Sequence, residues 1–318
     1  MPLPAETLRK LYREMLLCRR FEERAAQSYG QEKIRGFCHL YIGQEAVAVG
    51  SVCAARPDDY VITAYRDHAH ALIRGCDPGA VMAELYGKVT GSSRGMGGSM
   101  HIFDAERRFM GGHGIVGGHT PLASGFAFAS RYLGKDEITL CYLGDAAVNQ
   151  GAFHETLNLC SLWKLPVIFI VENNFYGMGT AVKRAIAGDI VKRGEMYDIP
   201  SYSVDGMDVL EMYRVTTECI ERARKDGTPS FIEAKCYRFR GHSMSDAGTY
   251  RTKEEVQREQ QRDPIEKLKK QLMDDGIETE AWFKALDKEI REICRQAADF
   301  ADQSPQPDVS EVDRWVQV

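Results

Sequence analysis

Two apolar runs joined by a helical pattern constrain the fold more strongly than any other stretch of this chain. Residues 138–143 are rich in β-forming side chains and lead into Asp145, and residues 165–171 lead into Asn174. Between them, residues 149–162 carry apolar side chains at helical spacing. Continuous apolar strands joined by a helix indicate a buried parallel sheet, whose strand ends meet at one edge. We therefore predict an α/β fold with a doubly wound parallel sheet and a ligand site at that edge.

The polar residues at the two strand ends have the chemistry of a site for a hard cation. Asp145 offers a carboxylate, Asn174 an amide oxygen, and the turn at residues 175–177 a backbone carbonyl. Mg²⁺ prefers such oxygen ligands, usually together with substrate phosphates. Either strand end taken alone is typical of an ordinary turn. Their occurrence together, 29 positions apart (174 − 145) across one strand–helix–strand unit, favours a metal site.

The Gly-Asp and Asn-Asn pairs at these strand ends resemble the thiamine diphosphate motif of the transketolase-like enzymes. Six segments are similar to the alpha subunit of the decarboxylating component of pyruvate dehydrogenase: FCHLYIGQEA (37–46), ITAYRDH (62–68), RGMGGSMH (94–101), GGHGIVG (111–117), NNFYGMGT (173–180) and FRGHSMSD (239–246). The resemblance covers about residues 5–305. It implies a transketolase-like thiamine-diphosphate-binding fold with helical appendages at both ends.

The resemblance also implies thiamine diphosphate and Mg²⁺ as cofactors. The expected metal ligands are Asp145, Asn174 and the carbonyl of Tyr176. The residues that the resemblance places around the cofactor are His39, Tyr65, Arg66, Gly114, Val116, Asp145, Ala146, Ala147, Asn174, Tyr176 and His242. Among these, His39 and His242 are expected to be catalytic, because they would flank the reacting centre.

Two of these side chains have site chemistry of their own. An arginine at a strand tip is usually solvated or paired, but beside a metal–diphosphate site the Arg66 guanidinium would clamp phosphate oxygens. His242 lies in the polar, aperiodic residues 238–251, which predict a loop; a lone loop histidine is usually solvated, although histidine can shuttle protons near neutrality. Ser243 and Ser245 lie in the same loop, which is phosphorylated in some relatives. A chain without an organelle presequence gives little reason to expect that control.

One position departs from the family pattern. Where the family usually reads Gly-Asp-Gly, the third residue here is Ala146. If the amide of this residue meets the diphosphate in a conformation with positive φ, its Cβ atom destabilises that conformation. Because alanine adds only a methyl group, we expect at most a weakened cofactor site.

The resemblance implies an oxidoreductase that decarboxylates a 2-oxo acid, with pyruvate favoured, and passes the acyl group to a lipoyl group on a partner acyltransferase. In the family, a beta chain supplies the glutamate that activates the aminopyrimidine, within a heterotetramer of two alpha and two beta chains. Glu45 is the nearest candidate here, but it begins a predicted helix, where capping is the simpler account. Activity is therefore expected to need the beta subunit.

Two other functions stay open. An acetoin dehydrogenase alpha subunit keeps the same motifs, and a scaffold that binds partners but no cofactor has its only support in Ala146. Branched-chain 2-oxo acid oxidation is disfavoured, because FCHLYIGQEA resembles the pyruvate type. Substrate assays with the partner chain separate the first two functions, and thiamine diphosphate binding separates both from the scaffold.

Composition narrows the class of protein further. The net charge is −5 and there is no basic block, so nothing indicates a nucleic-acid partner. No apolar run approaches the roughly 20 residues that span a bilayer, so no membrane partner is expected. The nine cysteines are scattered without a CxxC pair, which is typical of core cysteines in a reducing compartment. With an N-terminus that lacks a signal-peptide pattern, this favours a cytoplasmic protein.

The remaining pattern predicts a single domain, residues 1–318, with an N-terminal helix in residues 1–30 and a helical appendage at residues 253–318. The glycine-rich residues 87–118 predict a loop region that forms an ordered wall around a ligand. Further strands are predicted at residues 60–63, 202–204 and 231–236, and further helices at residues 44–55, 122–133 and 209–224. The small-residue helices at 44–55 and 122–133 are candidate contact faces for the beta chain.

Overall fold

Six parallel strands form the central sheet. The computed structural model describes residues 3–310. The strands are β1 (Tyr60–Ala64), β2 (Phe109–His113), β3 (Thr139–Gly144), β4 (Val167–Asn173), β5 (Tyr176–Gly177), β6 (Thr180–Ala181), β7 (Ser201–Asp205) and β8 (Ser230–Lys235). The sheet order is β2-β1-β3-β4-β8-β7, and β5 and β6 form a small antiparallel pair. Every neighbouring pair in the large sheet is parallel.

Helices connect the strands and extend both ends of the described chain. They are α1 (Ala5–Gly30), α2 (Glu45–Val52), α3 (His68–Ile73), α4 (Pro78–Leu85), α5 (Thr120–Tyr132), α6 (Gly151–Leu162), α7 (Val182–Ala185), α8 (Lys192–Glu195), α9 (Val209–Asp226), α10 (Lys253–Gln260), α11 (Pro264–Asp274) and α12 (Glu280–Gln303). Helix α9 shows why such bounds can be predicted. The Asp208 side chain accepts hydrogen bonds from the amides of Leu210 and Glu211 at its start, and Gly227 ends it in the left-handed conformation.

The sheet is covered on both faces, which confirms the predicted doubly wound architecture. Along β3, Leu140 and Tyr142 belong to one apolar cluster and Cys141 and Leu143 to the other, because successive side chains of a strand point to opposite faces. The first cluster includes residues of α1, α2, α9 and α12, and the second includes residues of α5 and α6. Burial on both faces explains why the central strands are continuous apolar runs.

The prediction that residues 87–118 lack regular structure is wrong in part, since they contain β2. This strand pairs in parallel with β1 at the edge of the sheet. Its glycines are required by close approach: a Cβ atom on Gly112 would collide with the Asp67 carboxylate, and one on Gly111 with the Phe103 ring. Glycine here serves a strand, although its composition predicts a loop.

The rest of that segment is ordered by one buried carboxylate. Glu84, at the end of α4, accepts backbone hydrogen bonds of 2.7–3.0 Å from the amides of Ser93, Gly95, Gly97 and Gly98. The Glu84 side chain is fully buried. The expected ordered wall is therefore present, and its order comes from a side chain outside the glycine-rich stretch.

The terminal helices pack on the body of the protein. Helix α1 is 26 residues long and lies within the predicted range 1–30, and α12 buries an apolar stripe that includes Phe283, Leu286 and Ile290. The chain beyond α12 is held to the glycine-rich segment, since the Pro305 carbonyl accepts a hydrogen bond from the Val89 amide. The last part of the predicted appendage, residues 311–318, lies outside the described residues. No helix in residues 3–310 has the length and apolar character needed to cross a membrane.

Helix α2 is unavailable as a contact face for another chain, contrary to expectation. All of its residues are buried within this chain. It packs so closely on α9 that a Cβ atom on Gly50 would lie 2.6 Å from the Cβ of Met212. Its small residues serve an internal helix contact. Helix α5, by contrast, leaves Leu122, Phe128 and Tyr132 exposed.

Candidate functional site

A cavity of about 780 Å³ lies at the carboxyl edge of the sheet. Its wall is formed by residues at the ends of β1, β3 and β4 and by residues of the segments that connect the strands and helices. The structure brings all eleven predicted site residues to its wall: His39, Tyr65, Arg66, Gly114, Val116, Asp145, Ala146, Ala147, Asn174, Tyr176 and His242. Residues that are up to 203 positions apart in sequence (242 − 39) therefore face one space.

The three predicted metal ligands lie where β3 and β4 end. Asp145 begins a 3-10 turn directly after β3, and it is buried. The side-chain oxygen of Asn174 and the carbonyl oxygen of Tyr176 each lie 3.0 Å from the same atom, Arg238 Nη1. These two oxygens are thus within reach of one cationic centre.

Burial raises the pKa of the Asp145 carboxyl to about 6, against a smaller opposing effect of hydrogen bonding and of Arg238. A nearby dication would favour the ionised form and reverse this shift. A buried carboxylate, an amide oxygen and a carbonyl oxygen together fit Mg²⁺. Within residues 3–310 there is no group of three or more His, Cys, Asp or Glu side chains that could hold a metal.

The strain expected at Ala146 is absent. Ala146 is not among the residues with positive φ, so its Cβ atom imposes no left-handed penalty. The methyl group is accommodated instead by a glycine opposite it, because a Cβ atom on Gly177 would lie 2.6 Å from that of Ala146. The departure from the Gly-Asp-Gly pattern therefore carries no backbone cost in this fold.

The rings of His39, Tyr65 and His242 form a cluster in the wall of the cavity. The His39 ring lies 4.7 Å from Tyr65 and 5.2 Å from His242, measured between centroids. Burial, and then the positive charge of Arg66, lowers the pKa of His39 to about 2 and that of His242 to about 4. Both imidazoles are therefore neutral near pH 7, contrary to the premise that His242 titrates near neutrality. A bound anion would raise both pKa values.

Two buried guanidinium groups face the cavity. Arg66 donates to the carbonyls of Leu40 (2.6 Å) and His242 (2.7 Å), and Arg238 is only 1% exposed. Burial, and then the charge of Arg238, lowers the pKa of Arg66 to about 10. Neither arginine forms an ion pair with a carboxylate in the described part of the chain. Because a buried cation without a counter-charge is costly, the pair marks a site for an anion.

Two residues that line the cavity, Arg238 and Glu172, were not predicted from the sequence. Arg238 begins the predicted loop, and Glu172 hydrogen-bonds the Tyr41 hydroxyl. Gln44, inside the FCHLYIGQEA segment, was not assigned a role either; it does not line the cavity but accepts a hydrogen bond from the Asn174 amide. A charged residue at the end of an otherwise apolar strand is the signal that could have identified Glu172.

The carboxylate of Glu45 is occupied elsewhere. It is fully buried, pairs with Arg19 and accepts a hydrogen bond of 2.9 Å from the Gly43 amide. It does not line the cavity. Glu45 therefore has a structural role, but as the partner of Arg19 rather than as the expected cap, since no side chain forms a capping hydrogen bond at the start of α2.

Comparison with known proteins decides the family. The family model described as dehydrogenase E1 component matches residues 13–310. The chain belongs to the dehydrogenase E1 component family. This E1 chain is 54% identical over 305 residues to the pyruvate dehydrogenase E1 component subunit alpha of Rhizobium meliloti (strain 1021), covering 95% of this chain and 88% of that protein.

Two further relatives of this E1 chain carry the same name. The protein of Zymomonas mobilis subsp. mobilis is 50% identical, with 95% of this chain and 86% of that protein covered. The protein of Rickettsia prowazekii (strain Madrid E) is 48% identical, with 94% and 92% covered. The predicted family and the transketolase-like fold class are confirmed.

Proposed function

We propose that this chain is the alpha subunit of a pyruvate dehydrogenase E1 component. In this role it takes part in the thiamine-diphosphate-dependent oxidative decarboxylation of pyruvate. The relatives named above are all pyruvate dehydrogenase alpha subunits, which supports pyruvate over acetoin and branched-chain 2-oxo acids. The unstrained Ala146 removes the one observation that favoured a scaffold without cofactor.

The observation that carries this proposal is the pair of buried guanidinium groups beside an oxygen donor set. Arg66 and Arg238 supply positive charge and have no ion-paired partner within residues 3–310, and Asp145 supplies a buried carboxylate. A magnesium diphosphate complements both features, since Mg²⁺ meets the oxygen ligands and the diphosphate meets the guanidinium groups. Thiamine diphosphate is the cofactor that the E1 family implies, and we propose Mg²⁺ as the metal that accompanies it.

The chain's own residues have distinct tasks in this site. When bound, thiamine diphosphate supplies a carbanion-stabilising ylid for decarboxylation. Asp145, Asn174 and the Tyr176 carbonyl would hold the metal, and Arg66 would neutralise phosphate charge. His39 and His242, kept close by tilted and edge-on ring contacts with Tyr65, would hold or move protons at the reacting centre once the anion raises their pKa values.

The alpha-subunit names of the relatives imply a beta subunit as partner. We propose a heterotetramer of two alpha and two beta chains, which transfers the acyl group to the lipoyl group of an acyltransferase. The commitment of Glu45 to Arg19 supports a beta-chain origin for the activating glutamate. We further propose a single domain for residues 1–318 and a cytoplasmic location, the latter supported by nine free cysteines.

A substitution of Arg66 tests the anion site. In the chain reconstituted with its beta subunit, Arg66→Gln should weaken thiamine diphosphate binding at least about tenfold, because a charge-assisted phosphate contact is lost. Arg214→Gln, at an exposed position of α9, is the matched control. Binding is measured by isothermal titration at fixed Mg²⁺, and turnover is compared for pyruvate, acetoin and a branched-chain 2-oxo acid. If Arg66→Gln and Arg214→Gln bind thiamine diphosphate equally well, Arg66 is not part of an anion site. If acetoin is turned over faster than pyruvate, the assignment of pyruvate as substrate is wrong.

A further inference from the structure

The side-chain amide of Asn174 is held from two directions. Its Nδ2 donates to the Oε1 of Gln44 at 2.8 Å, and its Oδ1 accepts from Nη1 of Arg238 at 3.0 Å. Only the oxygen of an amide binds a magnesium ion, so the direction of this amide decides whether Asn174 can be a ligand. The two partners of the amide together determine that direction.

The donors and acceptors around Asn174 allow only one orientation of its side-chain amide. Arg238 has only donors, so the Asn174 atom that faces it is the oxygen. The amide nitrogen of Asn174 then faces Gln44, which must present its own oxygen. The thiol of Cys236, 3.8 Å from the same Gln44 oxygen, is a second donor in that direction. The orientation therefore follows from the chemistry of the partners.

Gln44 is built into a rigid part of the fold. It is fully buried and directly precedes α2, whose residues are all buried as well. The preceding residue, Gly43, has a φ of +100° and packs directly against the backbone of Tyr237, which precedes Arg238. A Cβ atom on Gly43 would collide with the Tyr237 carbonyl oxygen. The Nε2 of Gln44 has no hydrogen-bond partner among the described residues. The Nε2 donor of Gln44 therefore stays unsatisfied in this part of the chain, and the Oε1 atom makes the hydrogen bond to Asn174.

We propose that Gln44 is a positioning residue that, together with Arg238, holds the amide direction of Asn174 and thereby keeps its oxygen presented to the metal. The inference rests on the proposed function, since the metal belongs to that proposal. The Asn174 oxygen has two lone pairs, so it can face the metal while it still accepts from Arg238. A side chain that orients a metal ligand in this way typically contributes about 10-fold or more to metal affinity.

A double-mutant cycle tests the proposal. In the chain reconstituted with its beta subunit and saturated with thiamine diphosphate, Mn²⁺ binding is followed by the loss of the free-ion electron paramagnetic resonance signal. Gln44→Met should weaken Mn²⁺ binding about tenfold, because the amide loses its acceptor. In the Asn174→Asp background the same substitution should change binding less than about twofold, since a carboxylate presents oxygen in either direction.

Controls separate orientation from general damage. Gln44→Glu keeps an acceptor oxygen and should retain the metal affinity, whereas Gln271→Met, at an exposed position of α11, should have no effect. Thermal unfolding without metal reports folding, and Gln44→Asn, which only retracts the oxygen, replaces Gln44→Met if that variant does not fold.

Two outcomes overturn the proposal. Unchanged Mn²⁺ affinity in Gln44→Met means that the amide needs no orientation by Gln44. An equal loss in the Asn174 and Asn174→Asp backgrounds means that Gln44 acts on the fold as a whole. Failure of the unsubstituted protein to bind Mn²⁺ with thiamine diphosphate is a different result, since it overturns the proposed metal site itself.

Discussion

Arg66 and Arg238 illustrate how single residues give this cavity its chemistry. Both are buried; Arg66 donates to two backbone carbonyls, and Arg238 to two backbone carbonyls and to the side-chain oxygens of Asn174 and Tyr250. Carbonyl dipoles compensate a guanidinium charge only in part, so each arginine retains attraction for an anion. At the same edge, Asp145 retains attraction for a cation. A magnesium diphosphate carries both positive and negative charge, so it would compensate the two arginines and Asp145 at the same time.

The first residue-scale prediction concerns Asp145. Asp145→Asn should weaken magnesium-dependent binding of thiamine diphosphate at least about tenfold, because the carboxylate ligand of the metal is lost. Asp189→Asn, at an exposed position, should leave binding unchanged. Titration of the reconstituted protein with cofactor at several Mg²⁺ concentrations measures the effect. An Asp145→Asn curve that superimposes on that of the unsubstituted protein would rule out this carboxylate as a ligand.

The second residue-scale prediction concerns stability at acid pH. Burial lowers the pKa of His119 from 6.5 to about 4, while its Nε2 donates to the Tyr142 carbonyl at 2.7 Å. The unfolded chain binds a proton at higher pH than the folded chain does, so stability is full above about pH 6.5 and falls as the pH drops toward 4. At pH 5 the loss from this group is about 2 kcal/mol.

His119→Gln checks the sign, because glutamine keeps a donor for the Tyr142 carbonyl and does not titrate. The difference in unfolding free energy between pH 7.5 and pH 5, measured by urea titration, should shrink by about 2 kcal/mol in this variant. A difference as large as that of the unsubstituted chain would mean that His119 is protonated in the folded state, or that it does not govern acid stability.

At this scale, the sequence indicated most of the residues that the structure brings to the cavity but not their arrangement. Asp145 and Asn174 could be found because one strand–helix–strand unit places both strand ends at one edge. Gln44 and Arg238 could not be assigned, because their roles depend on hydrogen bonds to segments 130 and 64 positions away. A spacing pattern carries no information about the direction of an amide.

Among the elements, the loop at residues 238–251 depends on one carboxylate. Asp246 accepts from the amides of His242 (2.6 Å) and Gly248 (2.8 Å) and from the hydroxyl of Tyr250 (2.7 Å). Tyr250 in turn accepts a hydrogen bond from Arg238 at 2.9 Å. The loop is thereby connected to the residues that flank the proposed metal.

Hydrogen exchange tests this connection. Amides of residues 238–251 should exchange faster without cofactor than with thiamine diphosphate and Mg²⁺, because segments with few buried apolar contacts open locally. Asp246→Ala should keep exchange fast even with cofactor, whereas Asp275→Ala, at an exposed position after α11, should not. Identical exchange with and without cofactor in the unsubstituted protein would show that the loop does not respond to the site.

The elements that could be predicted differ from the missed one in the kind of interaction that forms them. Strands β3 and β4 are apolar on both faces, so their sequence alone indicates burial in a sheet. Strand β2 reads FMGGH, and its glycines reflect the approach of Asp67, 45 positions before Gly112 (112 − 67), and of the Phe103 ring. Contacts of this kind appear only when the chain is folded.

For the whole molecule, we predict that the chain alone is catalytically silent. Glu45 is paired with Arg19, and Glu172, which lies beside Gly144 in the β3–β4 register, is bound to the Tyr41 hydroxyl. Glu45 does not line the cavity and the Glu172 carboxylate is engaged by Tyr41, so we expect the activating glutamate to come from the beta chain. Purified chain with thiamine diphosphate, Mg²⁺, pyruvate and an artificial electron acceptor should therefore show no turnover, and addition of the beta chain should restore it.

Comparable turnover with and without the beta chain would contradict this view. Glu172 would then be the carboxylate to examine, because it lines the cavity. Glu172→Gln in the chain alone would abolish that turnover if this side chain were the activator. The exposed Leu122, Phe128 and Tyr132 of α5 remain the surface that a partner chain is expected to cover.

The four amides that converge on Glu84 have an evolutionary consequence for the glycine-rich segment. Surface loops usually tolerate insertions and deletions. Here the donors from Ser93 to Gly98 meet one carboxylate, so adding or removing a residue between them would displace several hydrogen bonds at once. We therefore expect this segment to vary in side chains that point away from Glu84 but to keep a constant length among relatives that retain the carboxylate.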